Sequence, residues 1–160
     1  MEIFKFAIQM EKDGEAFYRR LAGQVRETGV REILTMLAED EVKHALAIEQ
    51  MRTRVGKMAD SKILDKAKNI FKRMKDFSEP FDFDHSHEEL YRQAMGLEQK
   101  SIDFYLDRAD QTDDPAQKSL FEQLADEEQR HYRLLEGLVD FVSRPRTWLE
   151  NAEFTHLEEY

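Results

Sequence analysis

Two Glu-x-x-His pairs, Glu41 with His44 and Glu128 with His131, and two lone glutamates, Glu11 and Glu98, are the residues whose types and spacing can do chemistry. Glu and His at i and i+3 project from one helix face, so each pair can grip one cation. All four glutamates interrupt stripes that otherwise carry Leu, Ile, Phe and Tyr. Burying a bare carboxylate costs several kcal/mol, and burying four together adds mutual repulsion. No Lys or Arg lies on the stripes near them. Two divalent metal ions would cancel the four negative charges and use both imidazoles as neutral ligands. Glu11 and Glu98 would then complete or bridge the pair, with the metals roughly 3.5–4 Å apart as in two-metal sites.

The donor set is oxygen-rich with one histidine per metal, which suits iron or manganese better than copper or structural zinc. A single Glu-x-x-His is a weak signal, and Glu153 with His156 makes a third copy that reads as surface or lid. His85 and His87 are expected to face solvent. Tyr18 and Tyr105 lie seven residues beyond Glu11 and Glu98, two turns along the same face. They can orient metal-bound carboxylates through hydrogen bonds, or serve as core aromatics with a polar tip. Asp40 and Glu127, each preceding a ligand glutamate, are candidates to receive the histidines' remaining N–H protons.

Four segments must position these groups. Apolar residues at alternating spacings of three and four predict helices over about Ile3–Val25, Val30–Val55, Glu88–Ala109 and Pro115–Val142. The breaks at Glu27-Thr28-Gly29 and Asp113-Asp114-Pro115 are short, so each pair should form an antiparallel hairpin. Asp114 is placed to cap the last helix, with Pro115 at its first position. A longer stretch, residues 57–87, should cross the bundle and holds a weaker amphipathic helix around Ile63–Phe77. Residues 144–160 form a short tail, expected to include a helix.

The hairpins also repeat one another. One shift of 87 positions aligns Glu11 with Glu98, Tyr18 with Tyr105, Glu41 with Glu128 and His44 with His131. A constant offset across both helices implies a duplicated hairpin, residues 1–56 and 88–143, and a pseudo-two-fold site between the copies. The expected fold is thus a single all-α domain over 1–160, a four-helix bundle of two hairpins joined by a crossover.

Composition narrows the function classes. With 36% charged residues, 6 Gly and 3 Pro, the chain favours helices over a turn-rich β fold. It contains no cysteine, which removes disulfides, thiolate metal sites and thiol nucleophiles. A net charge of −10 argues against nucleic-acid binding, and the basic stretch Lys57–Lys75 reads as the solvated face of a connector. Neither a signal peptide nor a membrane span is evident, so a cytoplasmic location is expected.

The motifs Met10-Glu11-Lys12 with Phe17-Tyr18, Glu41-Val42-Lys43-His44, Leu97-Glu98 with Phe104-Tyr105, and Glu128-Gln129-Arg130-His131 resemble the ferritin-like di-iron carboxylate proteins, particularly the rubrerythrin-like branch. The resemblance covers about residues 3–142. It implies that Glu11, Glu41, His44, Glu98, Glu128 and His131 ligate two irons, that the site reduces peroxide, oxidises ferrous iron or activates oxygen, and that the protein is a homodimer or a larger assembly. Two departures stand out. Full-length rubrerythrins carry a Cys-ligated iron module, which a chain without cysteine lacks, so its reductant would be a separate electron-donor protein. Rubrerythrins also place an extra carboxylate where this chain has Ser101, which leaves a symmetric six-residue set closer to bacterioferritin.

Three functions compete at this level. A di-iron oxidoreductase leads, followed by an iron-storage or ferroxidase protein and by a non-catalytic helical module whose acids have lost their ions.

Overall fold

The structure, a computed structural model, describes residues 2–53, 63–76 and 87–143. They form five α-helices, α1 Glu2–Gln24, α2 Thr28–Arg52, α3 Ile63–Asp76, α4 Glu88–Gln111 and α5 Pro115–Ser143, with no strand among the described residues. The expected tail helix, Glu153, His156 and His85 lie outside the described residues.

Helix α2 starts two residues earlier than its spacing predicts, which corrects the first turn from 27–29 to 25–27. Thr28 and Gly29 already belong to the helix, and no side chain caps it at Glu27. The turn is tied instead by Arg31, whose Nη2 donates to the Val25 carbonyl at 2.7 Å. That bond satisfies an acceptor the end of α1 would otherwise leave open. The start of α5 matches expectation, because Asp114 Oδ1 accepts from the Ala116 backbone N–H at 3.0 Å ahead of Pro115. His87 sits half-buried at the N-terminal boundary of α4 rather than fully in solvent.

Helix α1 packs mainly on α2, and α4 on α5. Cross-hairpin bonds fix how the hairpins face. Tyr18 reaches Glu98 and Tyr105 reaches Glu11, so α1 and α4 run antiparallel. His44 with Glu128 and His131 with Asp40 set α2 and α5 antiparallel in the same way. The link between hairpins must therefore travel the length of the bundle, and α3 lies along that link. It buries Ile63, Ala67 and Ile70, spaced four and three apart, against α2 and α5.

The bundle has two apolar cores. One joins Tyr18, Leu21, Val30, Leu34, Leu37, Tyr91, Leu134 and Leu138, with α3 added. The other joins Phe4, Ala7, Ile48, Tyr105, Phe121 and Leu124, where Phe4 stacks on Phe121 at 6.0 Å. Glu11, Glu41, His44, Glu98, Glu128 and His131 form the layer between them, each at most 4% exposed.

Candidate metal centre

Each of α1, α2, α4 and α5 contributes to this layer where its apolar stripe is broken. Glu11 comes from α1, Glu41 and His44 from α2, Glu98 from α4, Glu128 and His131 from α5. All six sequence-predicted ligands converge. Their donor atoms fall into two groups, Glu11–Glu41–His44–Glu128 and Glu41–Glu98–Glu128–His131, with the atoms of each within 4.8 Å of one another. Glu41 and Glu128 belong to both groups, while Glu11 and Glu98 belong to one each.

The histidines lie between the hairpins. His44 Nδ1 is 2.7 Å from Glu128 Oε1 and 3.4 Å from Glu11 Oε2, but 4.0 Å from Glu41 Oε1 in its own helix. His131 Nδ1 is 2.9 Å from Glu41 Oε1, 3.3 Å from Glu98 Oε1 and 3.6 Å from Glu128 Oε2. The two rings stack at 5.4 Å with a 17° tilt. Among the described residues no Lys or Arg pairs with any of the four glutamates, and Glu98 Oε2 and Glu128 Oε2 are buried without a hydrogen-bond partner.

Outside this ring, Tyr18 donates to Glu98 Oε1 at 2.5 Å and Tyr105 donates to Glu11 Oε1. Each tyrosine therefore serves the glutamate of the opposite hairpin, not the one on its own helix. Asp40 Oδ2 lies 2.9 Å from His131 Nε2, so it can hold that proton and leave Nδ1 facing the layer. The matching contact from Glu127 is absent. Glu127 Oε1 faces Arg130 at 3.5 Å, and His44 Nε2 has no hydrogen-bond partner.

A second asymmetry was not apparent from the motifs. A Cβ placed on Gly14 would lie 2.8 Å from Glu41 Oε2, so the carboxylate rests against bare α1 backbone. The 87-residue offset matches Gly14 with Ser101, which is half-buried. A glycine inside a helix with no turn to make was the available signal.

Electrostatics follow from six ionisable groups sharing one dry layer. Burial raises Glu41, and repulsion from Glu11 and Glu98 pushes it further, well above the usual carboxylate range. Glu128 rises likewise through burial and the charges of Glu11, Glu41 and Glu98. Burial also opposes ionisation of Glu11, but attraction to His44 and hydrogen bonds from His44, Glu41 and Tyr105 hold it down at about 2. Glu98 is lowered against its burial by His131, Glu128 and Tyr18. His131 is raised despite burial, by the charge of Glu98 and by bonds to Asp40, Glu41 and Glu98. Burial and the adjacent carboxylates push both tyrosines up, so they stay donors. Protons thus settle on Glu41 and Glu128, the shared pair where compensating positive charge is most needed.

The donors present fit two cations of oxygen and nitrogen preference: four carboxylates, two imidazoles, uncapped buried oxygens and, among the described residues, no competing ammonium or guanidinium. Three comparisons bear on identity. No curated protein matches the chain. The solved structure of a hypothetical protein from Pyrococcus furiosus superimposes with a TM-score of 0.63 over 89% of each chain at 20% identity, a likeness of fold. The rubrerythrin family model matches residues 2–139, which include all six convergent residues. A buried four-glutamate, two-histidine layer in a duplicated helical bundle and this match agree, and the chain belongs to the rubrerythrin family.

Proposed function

We propose that this protein is a di-iron carboxylate oxidoreductase that reacts with peroxide or oxygen, with Glu11, Glu41, His44, Glu98, Glu128 and His131 as the metal ligands. The observation that carries the reading is the pair of four-residue donor groups that share Glu41 and Glu128. Two irons held there would supply the two electrons that reduction of a peroxide requires. The chain's own part is to fix six donors in a dry layer, to orient His131 through Asp40, and to keep Glu98 and Glu11 placed through Tyr18 and Tyr105.

Iron is favoured over manganese by family membership, and a mixed pair is the alternative metal content. Ser101 offers no carboxylate for a ligand exchange of the kind expected in rubrerythrins, so the six residues named above would be the whole ligand set. These 160 residues contain no cysteine and so no thiolate-ligated iron module of their own, and the proposed reductant is a separate electron-donor protein. The assembly is a homodimer in the cytoplasm. No described helix is long and apolar enough to cross a membrane.

Anaerobic titration with Fe(II), followed by elemental analysis, tests the reading. About two irons should bind per chain and develop a charge-transfer absorption band on exposure to peroxide. Both should vanish in the double variant Glu41→Ala, Glu128→Ala. Wild-type protein that takes up no Fe(II) would refute the proposal, and a light-scattering mass far above a dimer would favour a storage cage.

A further inference from the structure

A cleft of about 570 Å³ runs between α1 and α4 and ends at the metal layer. Its floor is Gly14, Tyr18, Glu41 and Glu98, and Ser101 lines its wall. Oxygen or hydrogen peroxide, a pair of heavy atoms each, needs a small fraction of this space, since a water molecule occupies only about 30 Å³. The volume falls instead in the range of organic ligand sites. The lining is mainly apolar, from Phe6, Met10, Phe17, Leu97 and Phe104. Phe6 is 58% exposed and Leu97 46%, yet Phe6 packs on Phe104 at 5.2 Å, so the aromatic wall is built rather than scattered.

The cleft is also polarised along its length. Phe6, Met10 and Phe104 lie toward one end, by the start of α1 and the later turns of α4. Arg20 and Lys100 line it toward the other end, and neither has an ion-pair or hydrogen-bond partner among the described residues. Asp13 is on the rim as well, with its Oδ1 held by Gln9 Nε2 at 2.8 Å. Phe6 and Arg20 are fourteen residues apart on α1, roughly 21 Å at the helical rise. That span exceeds one extended acyl chain of about 15 Å, half the roughly 30 Å hydrocarbon core of a bilayer, by enough to seat a carboxylate at the Arg20 end.

We propose that this cleft binds a single-chain anionic amphiphile of the fatty-acid class, its chain along Phe6, Met10, Phe17, Leu97 and Phe104 and its carboxylate between Arg20 and Lys100. The chain passes over Glu41 and Glu98, which places it beside the metal layer. Its role as a substrate or effector there rests on the di-iron reading, whereas its binding does not.

Calorimetric titration of the metal-free protein with dodecanoate, below its micelle concentration, tests the site independently of iron. One dodecanoate should bind per chain, and decanoate should bind about tenfold more weakly for its two missing methylenes. Ser101→Trp, which fills the cleft, should weaken binding at least tenfold, and Leu97→Glu at an exposed position gives a second variant should the first misfold. Arg20→Glu with Lys100→Glu should weaken dodecanoate at least fivefold while leaving decan-1-ol unchanged. Absence of binding, binding indifferent to these variants, or uptake seen only through a change in light-scattering mass would overturn the proposal, the last marking an interface between copies. Iron uptake without dodecanoate binding would leave the metal centre standing, and the reverse would leave the cleft standing without its redox role.

Discussion

The Tyr18 hydroxyl donates to Glu98 Oε1 across the bundle at 2.5 Å, joining residues 80 apart in the chain. Tyr105 and Glu11 repeat the bond in the other half of the layer. A hydrogen bond to an ionised partner contributes about 1.5–3 kcal/mol, and its loss also frees the carboxylate to rotate. Tyr18→Phe should therefore weaken divalent-metal binding about tenfold at the sub-site that contains Glu98, and Tyr105→Phe should do the same at the one that contains Glu11. Anaerobic Fe(II) titration of the two variants would show one tight and one weakened equivalent in each. Two unaltered equivalents would mean that the tyrosines are only core aromatics.

Metal-free and metal-loaded protein should respond to pH with opposite slopes. Glu41 and Glu128 are raised above their ordinary 4.5, and His131 above 6.5. The folded chain then holds protons that the unfolded chain releases, so this stability is present at low pH and is lost as pH rises through the folded values. Glu11 and Glu98 are lowered, so their contribution is present above 4.5 and is lost as pH falls below it, for Glu11 through about 2. Metal binding must displace the protons on the shared pair, so metal-linked stabilisation grows with pH. Thermal melts between about pH 5 and 8 should show the metal-free Tm falling and the loaded Tm rising. Loading in weak buffer should release protons detectable with an indicator dye.

Glycine substitutions separate helix propensity from the site. Gly96 is exposed inside α4 with nothing within 4 Å of an added Cβ, so Gly96→Ala should stabilise the protein by about 0.5–1 kcal/mol. Gly14→Ala brings the same propensity gain but drives a methyl to 2.8 Å from Glu41 Oε2. It should lower metal content while leaving the metal-free Tm near or above wild type. Denaturation curves with parallel metal analysis distinguish the two, and full metal content in Gly14→Ala would show that Glu41 has room to move.

The two acids that precede Glu41 and Glu128 should not be equivalent. Asp40 fixes His131 Nε2 at 2.9 Å, whereas Glu127 faces Arg130. Asp40→Ala is expected to reduce metal affinity by 10- to 100-fold, the usual range for such a partner, and Glu127→Ala by much less. Equal losses measured by competition with a chelator would contradict the geometry.

Much of this architecture was legible because the signals lie within single helices. Glu41 and His44, or Glu128 and His131, announce a shared face by spacing alone, and the 87-residue offset relates the two hairpins. What stayed hidden depends on how the helices meet. The sharing of Glu41 and Glu128 by both donor groups, the crossing of Tyr18 to Glu98, and the contact of Asp40 rather than Glu127 with a histidine follow from axial position and rotation between helices, which no intra-helix period records. Helix α2 starts ahead of the expected Val30 because Arg31 ties back to the Val25 carbonyl six residues earlier, a local side-chain bond that apolar spacing does not record, and Gly29 does not break the helix. The cleft between α1 and α4 was unreadable for a related reason, since Phe6 and Leu97 look like ordinary core residues until their exposure is seen.

The sharing of Glu41 and Glu128 has an ancestral reading. Each donor group takes three side chains from one hairpin and one from the other. Either hairpin alone thus carries three of the six side chains, and two identical copies meeting about a dyad would assemble the whole centre. A short self-associating peptide could have gathered cations this way before gene duplication and fusion joined the copies. The crossover would then be a later suture, and the mismatches at Gly14/Ser101 and Asp40/Glu127 the places where once-identical halves have drifted apart.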